Sequence, residues 1–76
     1  DDLKVDHFNG LSDQWLAKLK NAALAGNFNS SMELVEQLPQ TQKKLVPILR
    51  YLIDNFQFEA IIEKIEKYQD IRKDNS

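Results

Sequence analysis

The residues whose types could do chemistry are few: one histidine (His7), two adjacent serines (Ser30 and Ser31), and the carboxylates Glu33, Glu36, Glu59, Glu63 and Glu66. A histidine that carries a phosphoryl group in a helical bundle stands exposed in mid-helix, usually with a lysine and then a glycine within the following turn. His7 is followed by Phe8, Asn9 and Gly10 and precedes the first helical pattern, so it reads as a solvated histidine of a linker. With one His and no Cys, His–His metal pairs, thiolate sites, thiol catalysis and disulfides are excluded. Glu59 and Glu63 stand one helical turn apart and could hold a hard cation or act as an acid–base couple. No second helix offers the Glu-x-x-His partner that carboxylate metal bundles use, so these acids read as a solvated polar face. Ser30 and Ser31 have no His or Lys base at a recognisable spacing and read as capping residues. Both glycines stand alone, which leaves no phosphate-cradling loop. The expectation is therefore no catalytic residue, no metal and no cofactor.

Composition narrows the class further. The chain has 76 residues, with 10 basic against 12 acidic side chains and a net charge of -2. That balance carries no electrostatic footprint for nucleic acid. Lys18, Lys20, Lys43, Lys44 and Arg50 are scattered and form no basic stripe for a membrane surface. The longest apolar run covers residues 22–25, far short of the roughly 20 residues that span a bilayer, so no membrane insertion is expected. The chain opens with Asp rather than Met, which reads as a segment of a longer or processed protein. One domain is all this length can build, and a domain so short buries only about 60% of the surface its unfolded chain exposes.

What positions these residues is a set of four apolar stripes. Residues 1–10 carry none and read as a linker or tail, with Leu3, Val5 and Phe8 available to cover one edge of a core. Ser12 is a good N-cap, and Trp15, Leu16, Leu19, Ala22 and Ala23 then repeat at helical spacing up to Gly26. This predicts a helix over 12–25. Asn27 or Ser30 caps a second helix over 28–38, striped by Met32, Val35 and Leu38 and ended by Pro39. Leu45, Ile48, Leu49, Leu52, Ile53 and Phe56 give the cleanest repeat and predict a third helix over 44–55. Pro47 sits in its first turns and places the start near Leu45 or, with a slight kink, at Lys43. Phe58, Ile61, Ile62, Ile65 and Tyr68 predict a fourth helix over 57–70, with residues 71–76 fraying. The tight connections at Gly26-Asn27 and Asn55-Phe56-Gln57 make two antiparallel hairpins. Leu34 to Leu38 faintly echoes Ile61 to Ile65, 27 residues on. The expected fold is all-α: one domain over 11–70, a bundle of four short helices built from two hairpins.

Most aromatic residues fall on the stripes and read as core. Trp15 and Tyr68 are expected to sit partly exposed, because their polar atoms want water or a partner. Tyr51 falls off the third stripe. Trp15, Tyr51 and Tyr68 are therefore the candidate contacts to a partner.

The run Lys44-Leu45-Val46-Pro47-Ile48-Leu49-Arg50-Tyr51-Leu52-Ile53-Asp54-Asn55-Phe56-Gln57-Phe58, continuing to Ile62, resembles a known pattern. It is similar to the helical segment at the extreme C-terminus of hybrid sensor histidine kinases, after the receiver domain. Leu11-Ser12-Asp13-Gln14-Trp15-Leu16 and the hinge Ala22-Ala23-Leu24-Ala25-Gly26-Asn27 resemble that family's opening helix, with Asn27 where Asp is common. The resemblance covers roughly residues 10–69. It implies a multidomain two-component signalling parent, a protein-histidine kinase, whose phosphorylated His and Asp lie elsewhere, and a cytoplasmic location within that larger sensor. It transfers no catalytic residue here. The resulting expectation is a non-catalytic interaction or regulatory module that docks on the receiver or kinase core of the same protein, or pairs with a second copy. A phosphotransfer-like domain that binds a receiver, with His7 as an unusual acceptor, is the alternative. A helical-repeat fragment binding a peptide is another.

Overall fold

Ser12 and Asn27 each open a helix in the same way. The Ser12 hydroxyl accepts from the Trp15 N–H at 3.1 Å, and the Asn27 side-chain oxygen accepts from the Ser30 N–H at 3.0 Å. Each satisfies one of the first-turn donors that no carbonyl reaches. The computed structural model describes residues 3–74, and the helices that follow these caps are α1 (Asp13–Leu24) and α2 (Phe28–Glu36). A 3-10 turn at Gln40–Gln42 leads into α3 (Leu45–Asp54), and α4 runs Phe58–Asp74. Pro47 is the third residue of α3, where its missing N–H would have had no intrahelical acceptor. The helix therefore starts at Leu45.

The four helices pack with α1 against both α2 and α4, and α3 against both α2 and α4. Their stripes converge on one core, in which Leu16, Leu19, Val35, Leu49, Ile53, Ile61 and Ile65 are all 0% exposed. Ion pairs lace α1 to α4 on the outside, Lys20 with Glu66 at 3.3 Å and Arg72 with Asp13. The expected all-α bundle of two hairpins is present.

Three expectations change. Residues 3–10 are more than a linker: Val5–Phe8 form a 3-10 turn on α4, Leu3 is buried, and Phe8 is 0% exposed. The cause is Phe8, whose ring meets Tyr68 edge to face at 5.8 Å between centroids. The Gln42 side-chain amide also donates to the Asn9 carbonyl at 3.0 Å, tying the segment to the loop before α3. Next, α4 continues through the residues expected to fray, as far as Asp74, because Arg72 reaches across to Asp13 and over the Tyr68 ring; residues 75–76 of that tail lie outside the described residues. Finally, α2 buries Ser31, Leu34 and Val35, while Met32 and Leu38 of the expected stripe are half-buried. Packed between α1 and α3, α2 turns the Ser31–Val35 ridge inward.

The hinges repeat at a different spacing from the faint 27-residue echo. After α1, the N–H groups of Ala25, Gly26 and Asn27 donate to the carbonyls of Asn21, Ala23 and Ala22. After α3, those of Asn55, Phe56 and Gln57 donate to Tyr51, Ile53 and Leu52, each thirty residues on. This is the Schellman closure, made twice. In the same register Ser31 matches Ile61 and Val35 matches Ile65, all 0% exposed, whereas a shift of 27 would pair buried Val35 with half-buried Ile62. The hinge bonds set the register, and a local likeness of Leu and Ile does not.

Candidate interaction surface

The residues singled out for chemistry are dispersed over the fold, and His7 and Glu66 are held by neighbours. The His7 ring Nδ1 accepts from the Lys4 backbone N–H at 2.9 Å, which puts the proton of the neutral ring on Nε2 and makes His7 the lock of the 3-10 turn. It is half-buried rather than freely solvated. Ser31 is fully buried, and its hydroxyl has no hydrogen-bond partner. Neither Ser30 nor Ser31 is a cap, because Asn27 fills that role. Glu59, Glu63 and Glu66 are exposed on α4, with Glu66 held by Lys20. Among the described residues no group of three or more His, Cys, Asp or Glu is placed to hold a metal ion.

The three aromatic candidates are dispersed. Trp15 is half-buried and donates its indole N–H to the Leu34 carbonyl at 3.0 Å, clipping α1 to the end of α2. Tyr68 departs from the expectation of partial exposure: it is 7% exposed, with Phe8 against its ring and the Arg72 guanidinium 5.6 Å from the ring centre. Phe8 and Arg72 cover what the fourth stripe alone would have left open. Tyr51 is 67% exposed on α3. It walls a groove of about 280 Å³ between α3 and α4, floored by Leu3, Ile48, Leu52 and Ala60 and edged by Glu63 and Lys64.

A second apolar feature lies at the hinge end. Leu24, the last residue of α1, is 62% exposed, and Phe56 in the second hinge is 68% exposed. Both line a groove that continues over Ala23, Gly26, Phe58 and Ile62. The Phe56 ring leans on Phe28 at 5.9 Å and on Phe58 at 6.1 Å between centroids, so the two hairpin loops meet there. Sequence reasoning counted Phe56 both as the last residue of the α3 stripe and as part of the tight connection at 55–57, and the structure places it in the connection. It lies in the left-handed region, with φ 56°, where the first hinge has Gly26 at φ 64°. The signal was available: Ala-Gly-Asn-Phe and Asn-Phe-Gln-Phe align thirty residues apart, which puts Phe56 at the helix-terminating position beyond the stripe.

With the bundle, its hinges and its exposed aromatics in view, comparison with known proteins supplies the context. The model of the hybrid histidine kinase-response regulator C-terminal domain matches residues 1–66. The chain belongs to that family. The match extends the resemblance on residues 10–69 to include the N-terminal segment, in keeping with the burial of Phe8. No curated protein and no solved structure matches the chain significantly. As a hybrid histidine kinase-response regulator C-terminal domain, this bundle accompanies a chain whose family name joins a kinase to a response regulator. Among the described residues, no helix is long and apolar enough to cross a membrane.

Proposed function

We propose that this domain is a non-catalytic docking module of a cytoplasmic two-component phosphorelay, binding the receiver or kinase core of its own hybrid histidine kinase. The observation that carries the reading is the pairing of a closed core with outward-facing aromatics. Tyr51 and Phe56 are 67% and 68% exposed, and Leu24 beside Phe56 is 62% exposed, on a fold whose helical stripes close on a buried core. Exposed aromatic surface costs solubility, and it earns retention where it meets another protein. Of the residues suited to chemistry by type, His7 serves as a backbone cap, which supports the same reading.

The test is a titration of the isotope-labelled chain with the parent's receiver, first unphosphorylated and then in a phosphate-mimic state, followed by amide shifts. Saturable shifts grouped on one face and different between the two states are expected. Absence of shifts with the receiver and with the kinase core would refute the module as a docking domain. Phosphoryl transfer to His7, abolished by His7→Gln, would instead establish the phosphotransfer-like alternative. A helical-repeat reading draws on the thirty-residue repeat of the hinges, and the core shared by all four helices weighs against it, since a repeat pair open to a peptide leaves an apolar groove along its length.

A further inference from the structure

The two hinges share their hydrogen bonds but not their key residue. Gly26 takes its positive φ with no β-carbon to crowd the following carbonyl, and nothing lies within 4 Å of where a β-carbon would stand. Phe56 takes the same conformation with a large side chain, which L-residues disfavour. Its ring leans on Phe28 and Phe58, yet Phe56 remains 68% exposed, so packing compensates only in part. Strained backbone beneath a large ring left mostly open to solvent points to a use beyond the domain's own packing.

We propose that Phe56, with Leu24 beside it, is the knob of a docking surface whose occupant is an apolar socket with a basic rim on another domain of the same polypeptide. This rests on the docking function proposed above and names the surface and the kind of partner it fits.

Area and charge select the occupant. Leu24 and Phe56 are 62% and 68% exposed; since a large aromatic side chain offers about 150–250 Å² in all, the pair shows on the order of 250 Å². A stable complex between separate molecules buries about 800 Å² on each partner, so this pair alone does not hold a second copy. It suffices for a tethered neighbour, because a short linker presents its partner at an effective concentration in the millimolar range. The family's place in hybrid kinase-response regulators supplies such neighbours. The rim sets the sign: Asp54 and Glu59 are exposed on either side of Phe56 in the chain, Glu59 lines the groove, and no Lys or Arg does. A basic rim on the socket complements it.

The experiment compares the labelled wild-type chain with Phe56→Gly and Leu24→Asn, using the parent's isolated receiver and kinase core as probes at millimolar concentration, and records the thermal melt of each variant. Phe56→Gly is expected to leave the melting temperature close to wild type, because the relaxed hinge offsets the lost ring contacts with Phe28 and Phe58, while weakening docking at least tenfold. Leu24→Asn is expected to leave the melt unchanged and weaken docking, and docking is expected to weaken with added salt. Docking within twofold of wild type in both variants would overturn the knob while leaving the docking function standing. No docking of the wild type to either probe would overturn both. A melting temperature clearly lowered by Phe56→Gly would make Phe56 a packing residue and overturn the inference whatever the binding. Salt-independent docking would overturn the basic rim, and concentration-dependent self-association through residues 24 and 56 would overturn the tethered partner.

Discussion

Phe8 lies in the segment that looks least structured in sequence, and replacing it with alanine is expected to remove a large part of the domain's stability. Its side chain is 0% exposed, and it closes against Tyr68 with rings 5.8 Å apart and inclined by 66°. Truncating a buried Phe to Ala costs about 3–5 kcal/mol, from lost transfer energy and the cavity left behind. At roughly 0.05–0.15 kcal/mol per residue, a domain of this length has only about 4–11 kcal/mol in total. Phe8→Ala should therefore leave a fraction of the domain unfolded near room temperature, whereas Phe8→Leu, which keeps most of the volume, should cost less than about 1.5 kcal/mol. Urea unfolding followed both by helical circular dichroism and by Trp15 fluorescence measures the loss, and coincident curves check that the transition is two-state. A cycle with Tyr68→Ala isolates the ring pair, expected at about 0.5–1.5 kcal/mol of coupling. If Phe8→Ala unfolds within about 1 kcal/mol of wild type, residues 3–10 are a tail after all and the reasoning from burial is wrong.

Two further substitutions test the interior. Ser31→Ala removes a fully buried hydroxyl without a partner and improves helix propensity; the expected gain of about 1 kcal/mol appears as a rise of roughly 4–8 °C in the thermal midpoint, and a fall would mean that the hydroxyl makes a bond. Trp15→Phe deletes the N–H held 3.0 Å from the Leu34 carbonyl. Its expected cost of about 1–2 kcal/mol, from the lost bond and some lost area, is read from the urea midpoint by circular dichroism.

The first and third helices were the most legible, because each is written twice, once as a stripe and once as a stop. Leu45, Leu49 and Ile53 recur every fourth residue and are all buried, and Ser12 announced its helix by chemistry that the structure repeats bond for bond. What escaped was tertiary. The burial of Phe8 depends on a ring sixty residues away, which no local window contains. Tyr68 looked like a residue with one wet side only while Phe8 and Arg72 were assigned to tails. Phe56 carried two readings, the end of the α3 stripe and part of the tight connection; the helix ends at Asp54, and the left-handed turn swings the ring off the stripe. Of the three aromatic candidates, only Tyr51 was both singled out and left largely open to solvent, because it alone was chosen for lying off a stripe rather than for its polar atom.

The Phe8–Tyr68 contact also has a kinetic consequence. Each hairpin is local: its helices are joined by a hinge of a few residues, and such contacts form on the microsecond scale. The clasp between residues 8 and 68 closes a loop around both hairpins, so its entropy cost falls on a nearly finished bundle. During synthesis the N-terminal turn emerges first, yet the Tyr68 ring it closes on comes only with α4. The clasp is thus expected to form late and to open early. Loss of the Phe8 ring should accordingly speed unfolding and leave the folding rate nearly untouched, the behaviour of a latch rather than a nucleus.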